Sequence, residues 1–195
     1  MRKFVCLICA LMMTLSACGS VRDADLNEKI NAKYASAPVY SATVEARMDH
    51  GETVSDYRIA YEYSAAGGHL MTVIEPVVLA GLSVRVGAEK MEITYDGAVF
   101  APASLDGTGV SPVKLLCDVF MTWKDGFAES VGTEKEDGAE YVVYTVVSAL
   151  TGEELTHRTY FARDTLEPCR SESFSGEKCV MTLAFSDSEL TGTED

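Results

Sequence analysis

From Val39 onward the hydrophobic positions recur with a period of two. Tyr40, Ala42, Val44, Ala46 and Met48 alternate with Ser41, Thr43, Glu45 and Arg47, which predicts a strand with one buried and one wet face. Asp49-His50-Gly51 turns the chain, and the next run sets Tyr57, Ile59, Tyr61 and Tyr63 against Asp56, Arg58 and Glu62. "HLMTVIE" and "GLSVRVG" continue the series, and "MEITY" and "AVFAP" flank Asp96-Gly97. Asp-Gly between alternating runs is a strong hairpin signal, because a type I′ turn needs positive φ at both central positions. Strands resume with "ESVGTEKE", "AEYVVYTVVS" and "EELTHRTYFA", then a run on each side of Ser175-Gly176, the last from Lys178 to Ser186. Tyr141 to Val147 is apolar on both faces, which predicts a central strand covered twice.

Two stretches carry the helical period instead. Leu26, Ile30 and Tyr34 recur every four residues and predict a short helix between Asp25 and Ser36, stopped by Pro38. Ser111-Pro112 supplies an N-cap and a first-turn proline, so "PVKLLCDVFMTWK" predicts a helix from Pro112 to Lys124. Its apolar girdle is wide, which predicts that neighbours cover most of its sides. About ten strands joined by tight turns imply an antiparallel sheet whose sequence neighbours pair in space. Such a sheet curls, and the two helices are the natural plug for its concave face. The fold class is therefore mainly β within α+β.

The first 17 residues follow another pattern. Arg2 and Lys3 precede an almost unbroken apolar run from Phe4 to Met13, and the small pair Ser16-Ala17 follows. This is the composition of a signal peptide, and the apolar run is too short for a bilayer, which takes about 20 residues. Leu15-Ser16-Ala17-Cys18 resembles the lipobox of bacterial lipoproteins. The resemblance implies a diacylglycerol on the Cys18 thiol and cleavage just before it, with two or three acyl chains holding the protein stably on a membrane. The expected organisation is a leader over residues 1–17, a lipidated cysteine and polar tether over 18–24, one domain over 25–190, and a tail over 191–195. The expected location is the bacterial cell envelope, outside the cytoplasm.

Removal of the leader leaves 14 basic against 30 acidic residues, a formal charge of −16. That charge argues against nucleic acid as a partner, and no basic cluster is present to hold an anionic lipid surface. Of the six cysteines, Cys6 and Cys9 leave with the leader. Cys169 and Cys179 flank a turn and are candidates for a disulfide across a hairpin, whereas Cys117 reads as a small buried hydrophobe. The chain has no GxSxG, P-loop, dinucleotide fingerprint or HExxH. His50 sits in a turn and His69 behind a glycine pair. His157 lies on a strand where Glu154, three residues away, faces the opposite side. These spacings predict no metal site, no cofactor and no enzymatic centre.

The element order is similar to that of the outer-membrane lipoprotein carrier family of the Lol system, with its lipid-anchored receptor (the LolA/LolB-like proteins) and the related regulator RseB. The residues that carry the resemblance are Tyr95-Asp96-Gly97 with Phe100, then Ser111-Pro112 with Leu115 and Leu116, then Ser186-Asp187 with Glu189. It implies an open β half-barrel with a helical lid over an apolar cavity that holds the acyl chains of lipoproteins. The candidate lining is then Leu116, Phe120 and Trp123 from the helix and Tyr57, Ile59 and Tyr61 from the sheet. Two ligand classes follow, an acyl chain or lipoprotein in the cavity, or an envelope protein on the surface of an RseB-like module whose core is filled. Its own anchor sets this chain apart from the soluble carriers.

Overall fold

The computed structural model describes residues 20–88, 90–101, 111–150 and 153–191, with side chains from residue 25 onward and excepting 150 and 153. Helix α1 spans Ser20–Ala35. Strands β1 (Val39–Asp49), β2 (Val54–Ser64) and β3 (Gly68–Glu75) follow, then a short 3-10 turn at Val77–Leu79. Next come β4 (Ser83–Val86), β5 (Met91–Tyr95), β6 (Ala98–Phe100) and helix α2 (Pro112–Asp125). The chain continues with β7 (Ser130–Glu136), β8 (Ala139–Leu150), β9 (Glu153–Ala162), β10 (Pro168–Ser175) and β11 (Lys178–Thr191).

The strands form one antiparallel sheet of eleven, in the order β6-β5-β4-β3-β2-β1-β11-β10-β9-β8-β7. It is two meanders joined where β1 pairs with β11, and it stays open because β6 and β7 do not meet. The expected hairpin at Asp96-Gly97 is present, with φ of 47° and 77°, and Asp137-Gly138 repeats it with 50° and 87°. Both helices cover one face of the sheet, where the apolar residues of the period-two runs point. Ile30 and Tyr34 of α1, Tyr40, Val44 and Met48 of β1, and Met181 and Leu183 of β11 are all buried in this layer.

The sequence expectations need three corrections. The segment expected as a polar tether up to residue 24 is already helical from Ser20. The strand expected at the centre, β8, lies next to the β7 edge. Its outward Val143 is buried beside Tyr141 and Tyr160, whose rings lie 6.2 Å apart, but Val147 is 39% exposed. The bridge between Cys169 and Cys179 is replaced by two free thiols. Register places Cys179 opposite Phe174, five positions from Cys169, so the sulfurs cannot meet. Cys18 lies outside the described residues. No helix among the described residues is long and apolar enough to cross a membrane.

Candidate functional site

Helix α2 is held over the inner face of the sheet by its start, its apolar stripe and polar contacts to β2, β8 and β9. Ser111 sits in extended conformation and its Oγ accepts from the Lys114 amide at 3.3 Å, the cap read from Ser-Pro. Leu115, Leu116, Val119, Phe120 and Trp123 are all buried. Phe120 stacks on Tyr40 at 5.2 Å between centroids and meets Tyr63 at 4.7 Å. Trp123 packs edge-on against Phe120, Phe161 and Phe185 at 5.3 to 5.6 Å. Offset and edge contacts of this kind add about 0.5–1.5 kcal/mol per pair beyond area burial. Five of the six proposed lining residues, Ile59, Tyr61, Leu116, Phe120 and Trp123, are thus brought together as close-packed core. Tyr57, half-buried, lines a different groove of about 580 Å³ along β1, β2, β10 and β11, beside Arg47, Arg58, Glu75 and Arg170.

Free space lies one helical position away from that core. A cavity of about 870 Å³ opens between the Cys117 and Met121 side of α2 and the sheet around the β2–β3 and β4–β5 turns. Tyr63, His69 and Val86 line it, as do Ala65 to Gly68, Gly87, Ala88, Arg85, Lys90 and Glu92. Phe120 touches the rings of both Tyr63 and His69, so the packed core forms the floor of this cavity. The signals for these residues are present in the sequence: Tyr63 continues the face of Tyr57, Ile59 and Tyr61, and Cys117 and Met121 are four apart on the shoulder of the apolar stripe.

His69 is the buried histidine of the cavity wall. His69 Nδ1 and the Tyr61 hydroxyl are hydrogen-bonded at 2.8 Å. Burial, reinforced by the nearby Lys124 charge, pulls the imidazole down to about 4, so it is neutral at physiological pH. Lys124 Nζ donates to the Tyr63 hydroxyl at 2.8 Å and ties α2 to β2. Burial also pushes the Cys117 thiol up to about 12, which keeps it protonated and unreactive.

A second polar cluster fastens the other side of α2. Asp118 Oδ2 accepts from Ser148 Oγ at 2.5 Å and lies 2.8 Å from His157 Nε2, while His157 Nδ1 and Ser173 Oγ are 2.9 Å apart. Trp123 Nε1 donates to Thr159 Oγ1 at 3.0 Å, and Thr159 continues to Ser171 at 3.0 Å. Burial raises the Asp118 carboxyl, but hydrogen bonds from His157 and Ser148 and the imidazole charge outweigh it and hold it below the ordinary carboxylate range. His157 and Ser173 are each 1% exposed, whereas Asp118 and Ser148 are partly exposed. Ser148 Oγ also lies 3.1 Å from His157 Nε2, which closes the set into one network. Its chemistry is that of a satisfied buried network that orients a helix.

The open sheet with two helices on one face is shared with solved structures. An uncharacterized conserved protein from Thermus thermophilus superposes with a TM-score of 0.54 at 9% identity, over 88% of this chain and 89% of that one. A DUF1329 family protein from Desulfovibrio piger gives 0.50 at 11% identity, over 88% and 92%. A LolA superfamily protein from Nitrosomonas europaea gives 0.49 at 12% identity, over 87% and 95%. The shared fold is an open antiparallel sheet with both helices on one face. At these identities the likeness is one of fold. No family model and no curated protein matches the chain. In this open sheet the helical plug is α2, and the accessible volume lies at its Cys117–Met121 shoulder. No group of three His, Cys, Asp or Glu side chains placed to hold a metal occurs among the described residues.

Proposed function

We propose that this protein is anchored through a lipidated Cys18 on the outer side of a bacterial membrane and holds an acyl chain, of a lipid or a lipoprotein, in the cavity beside α2. The observation that carries the reading is the 870 Å³ space with Tyr63, Val86, Cys117 and Met121 on its walls and exposed Arg85 and Lys90 among its lining. Its size falls within the range of ligand pockets, about 300–1,000 Å³. The apolar walls suit a tail, which gains about 25 cal/mol for each Å² removed from water. The two cations suit a phosphate or carboxylate at its head. Ile59, Tyr61, Leu116, Phe120 and Trp123 serve as floor and plug beneath that tail. No cofactor, metal or catalytic step belongs to this reading.

A second reading has its own observation. The space directly under α2 is filled by Phe120 and Trp123, which favours an RseB-like envelope module that contacts a protein partner through its surface. Titrating soluble Cys18→Ser protein with a fluorescent fatty acid separates the two. Saturable uptake with one site per chain, abolished by Met121→Trp, supports the acyl reading. Absence of uptake, together with crosslinking in cells that recovers one envelope protein from wild type and Met121→Trp alike, supports the interaction module.

A further inference from the structure

The loop between α2 and β7 presents Phe127, which at 89% exposure is the most exposed large hydrophobic residue of the described chain. Its backbone is pinned on both sides. The Gly126 carbonyl accepts from Asn31 Nδ2 at 2.9 Å and from the Tyr144 hydroxyl at 3.0 Å, and the Gly126 amide donates to the Thr122 carbonyl at 3.0 Å. On the far side the Ala128 amide donates to Asn27 Oδ1 at 3.3 Å. Gly126 is glycine for a steric reason, since a Cβ there would meet the Thr122 oxygen at 2.2 Å. Hydrogen bonds on both sides thus fix the backbone of this loop while its aromatic ring stands in solvent.

The two helix side chains that pin the loop, Asn27 and Asn31, lie on α1, and α1 begins at Ser20, two residues after Cys18. At 1.5 Å per residue, Asn27 is about 10 Å along the axis from Ser20. Two further residues reach at most about 7 Å, so whatever its conformation the chain keeps Cys18 within about 20 Å of the residue that holds this loop. We infer that Phe127 is a membrane contact, its ring seated at the boundary of headgroups and acyl chains, so that the anchor and this ring together fix how the half-barrel stands on the membrane. The inference rests on lipidation of Cys18 as proposed above. Exposed Asp125 and Glu129 flank the ring, so the surface it fits is an uncharged lipid face and not a polyanionic one.

The test uses full-length protein purified from membranes and reconstituted into phosphatidylcholine vesicles whose acyl chains carry bromine. Phe127→Trp is compared with Phe100→Trp on the opposite edge strand and with Val77→Trp at the 3-10 turn; all three positions are exposed, so each replacement leaves the core packing alone. The emission added by Trp at position 127 is expected to shift to the blue and to be quenched by the brominated lipid, with no quenching at 100 or 77. Intact mass of the same preparations reports acylation. Acylated protein with no quenching at 127, or with stronger quenching at 100 or 77, overturns this inference and leaves the anchor standing. Unmodified Cys18 overturns both.

Discussion

Asp118 Oδ2 and His157 Nε2 lie 2.8 Å apart and tie α2 to the middle of β9 across the buried inner face. The same oxygen holds Ser148 on β8, so one carboxylate fixes the helix to two strands. Replacing it takes the carboxylate from His157 Nε2 and leaves that ring only its Ser148 and Ser173 partners, and breaking such a pair by removing one partner costs up to about 3–5 kcal/mol when fully buried. Asp118 is partly exposed, so Asp118→Ala is expected to lower stability by about 2–3 kcal/mol, read as a lower urea midpoint with Trp123 fluorescence. Asp118→Asn keeps a side chain able to hydrogen-bond Ser148 and should lose less. Because the folded carboxyl sits below its ordinary value, this contribution is present above about pH 4 and disappears only in stronger acid.

His69 makes stability fall at a milder pH. Its folded value of about 4 lies below the ordinary 6.5, so between those values the unfolded chain binds a proton that the native chain refuses. Stability therefore declines as pH drops from 6.5 to about 4 and then levels off, by at most about 3 kcal/mol. Urea unfolding of wild type and His69→Asn at pH 7 and pH 4.5 checks it. The wild-type loss across that interval should shrink in the variant.

Much of this architecture is legible from alternation alone. The hairpin turns, the face on which Tyr40 and Ile59 lie, and the cap at Ser111 all follow from local chemistry that operates within a few residues. The Asp118–His157 contact does not, because its partners are 39 positions apart and meet only once α2 is laid across β9. On the same strand Glu154, three residues from His157, faces the opposite side. The cavity was displaced for a related reason. Period identifies which residues face inward, but whether an inward residue fills space or borders it depends on how α2 is rotated over the sheet. That rotation buries Leu116 and Phe120 and leaves Cys117 and Met121 at the opening. The Cys169–Cys179 pairing failed on register, which a turn sequence does not determine.

Phe120 fills the space between Tyr40, Tyr61, Tyr63 and Trp123. Phe120→Ala should cost about 3–5 kcal/mol. It also joins the vacated volume to the neighbouring cavity, so a fatty acid with a longer chain should bind relatively better than to wild type. Thermal unfolding and competitive binding across chain lengths measure the two effects separately.

Gly126→Ala tests the pinned loop independently of any membrane. The added methyl meets the Thr122 carbonyl oxygen at 2.2 Å, so the last turn of α2 must shift. Overpacking of this kind costs about 1–3 kcal/mol. Thermal denaturation of Gly126→Ala beside the exposed control Gly132→Ala, where an added Cβ meets nothing within 4 Å, separates the clash from a general loss of glycine.

The most direct measurement is photocrosslinking of the lipid-free Cys18→Ser protein with a fatty acid carrying a diazirine at its tail, followed by peptide mass spectrometry. Label is expected on peptides containing Tyr63, Cys117 or Met121, and Met121→Trp should abolish it. Label confined to the outer groove of Arg47, Arg58 and Arg170, or no saturable label at all, would contradict an acyl site beside α2.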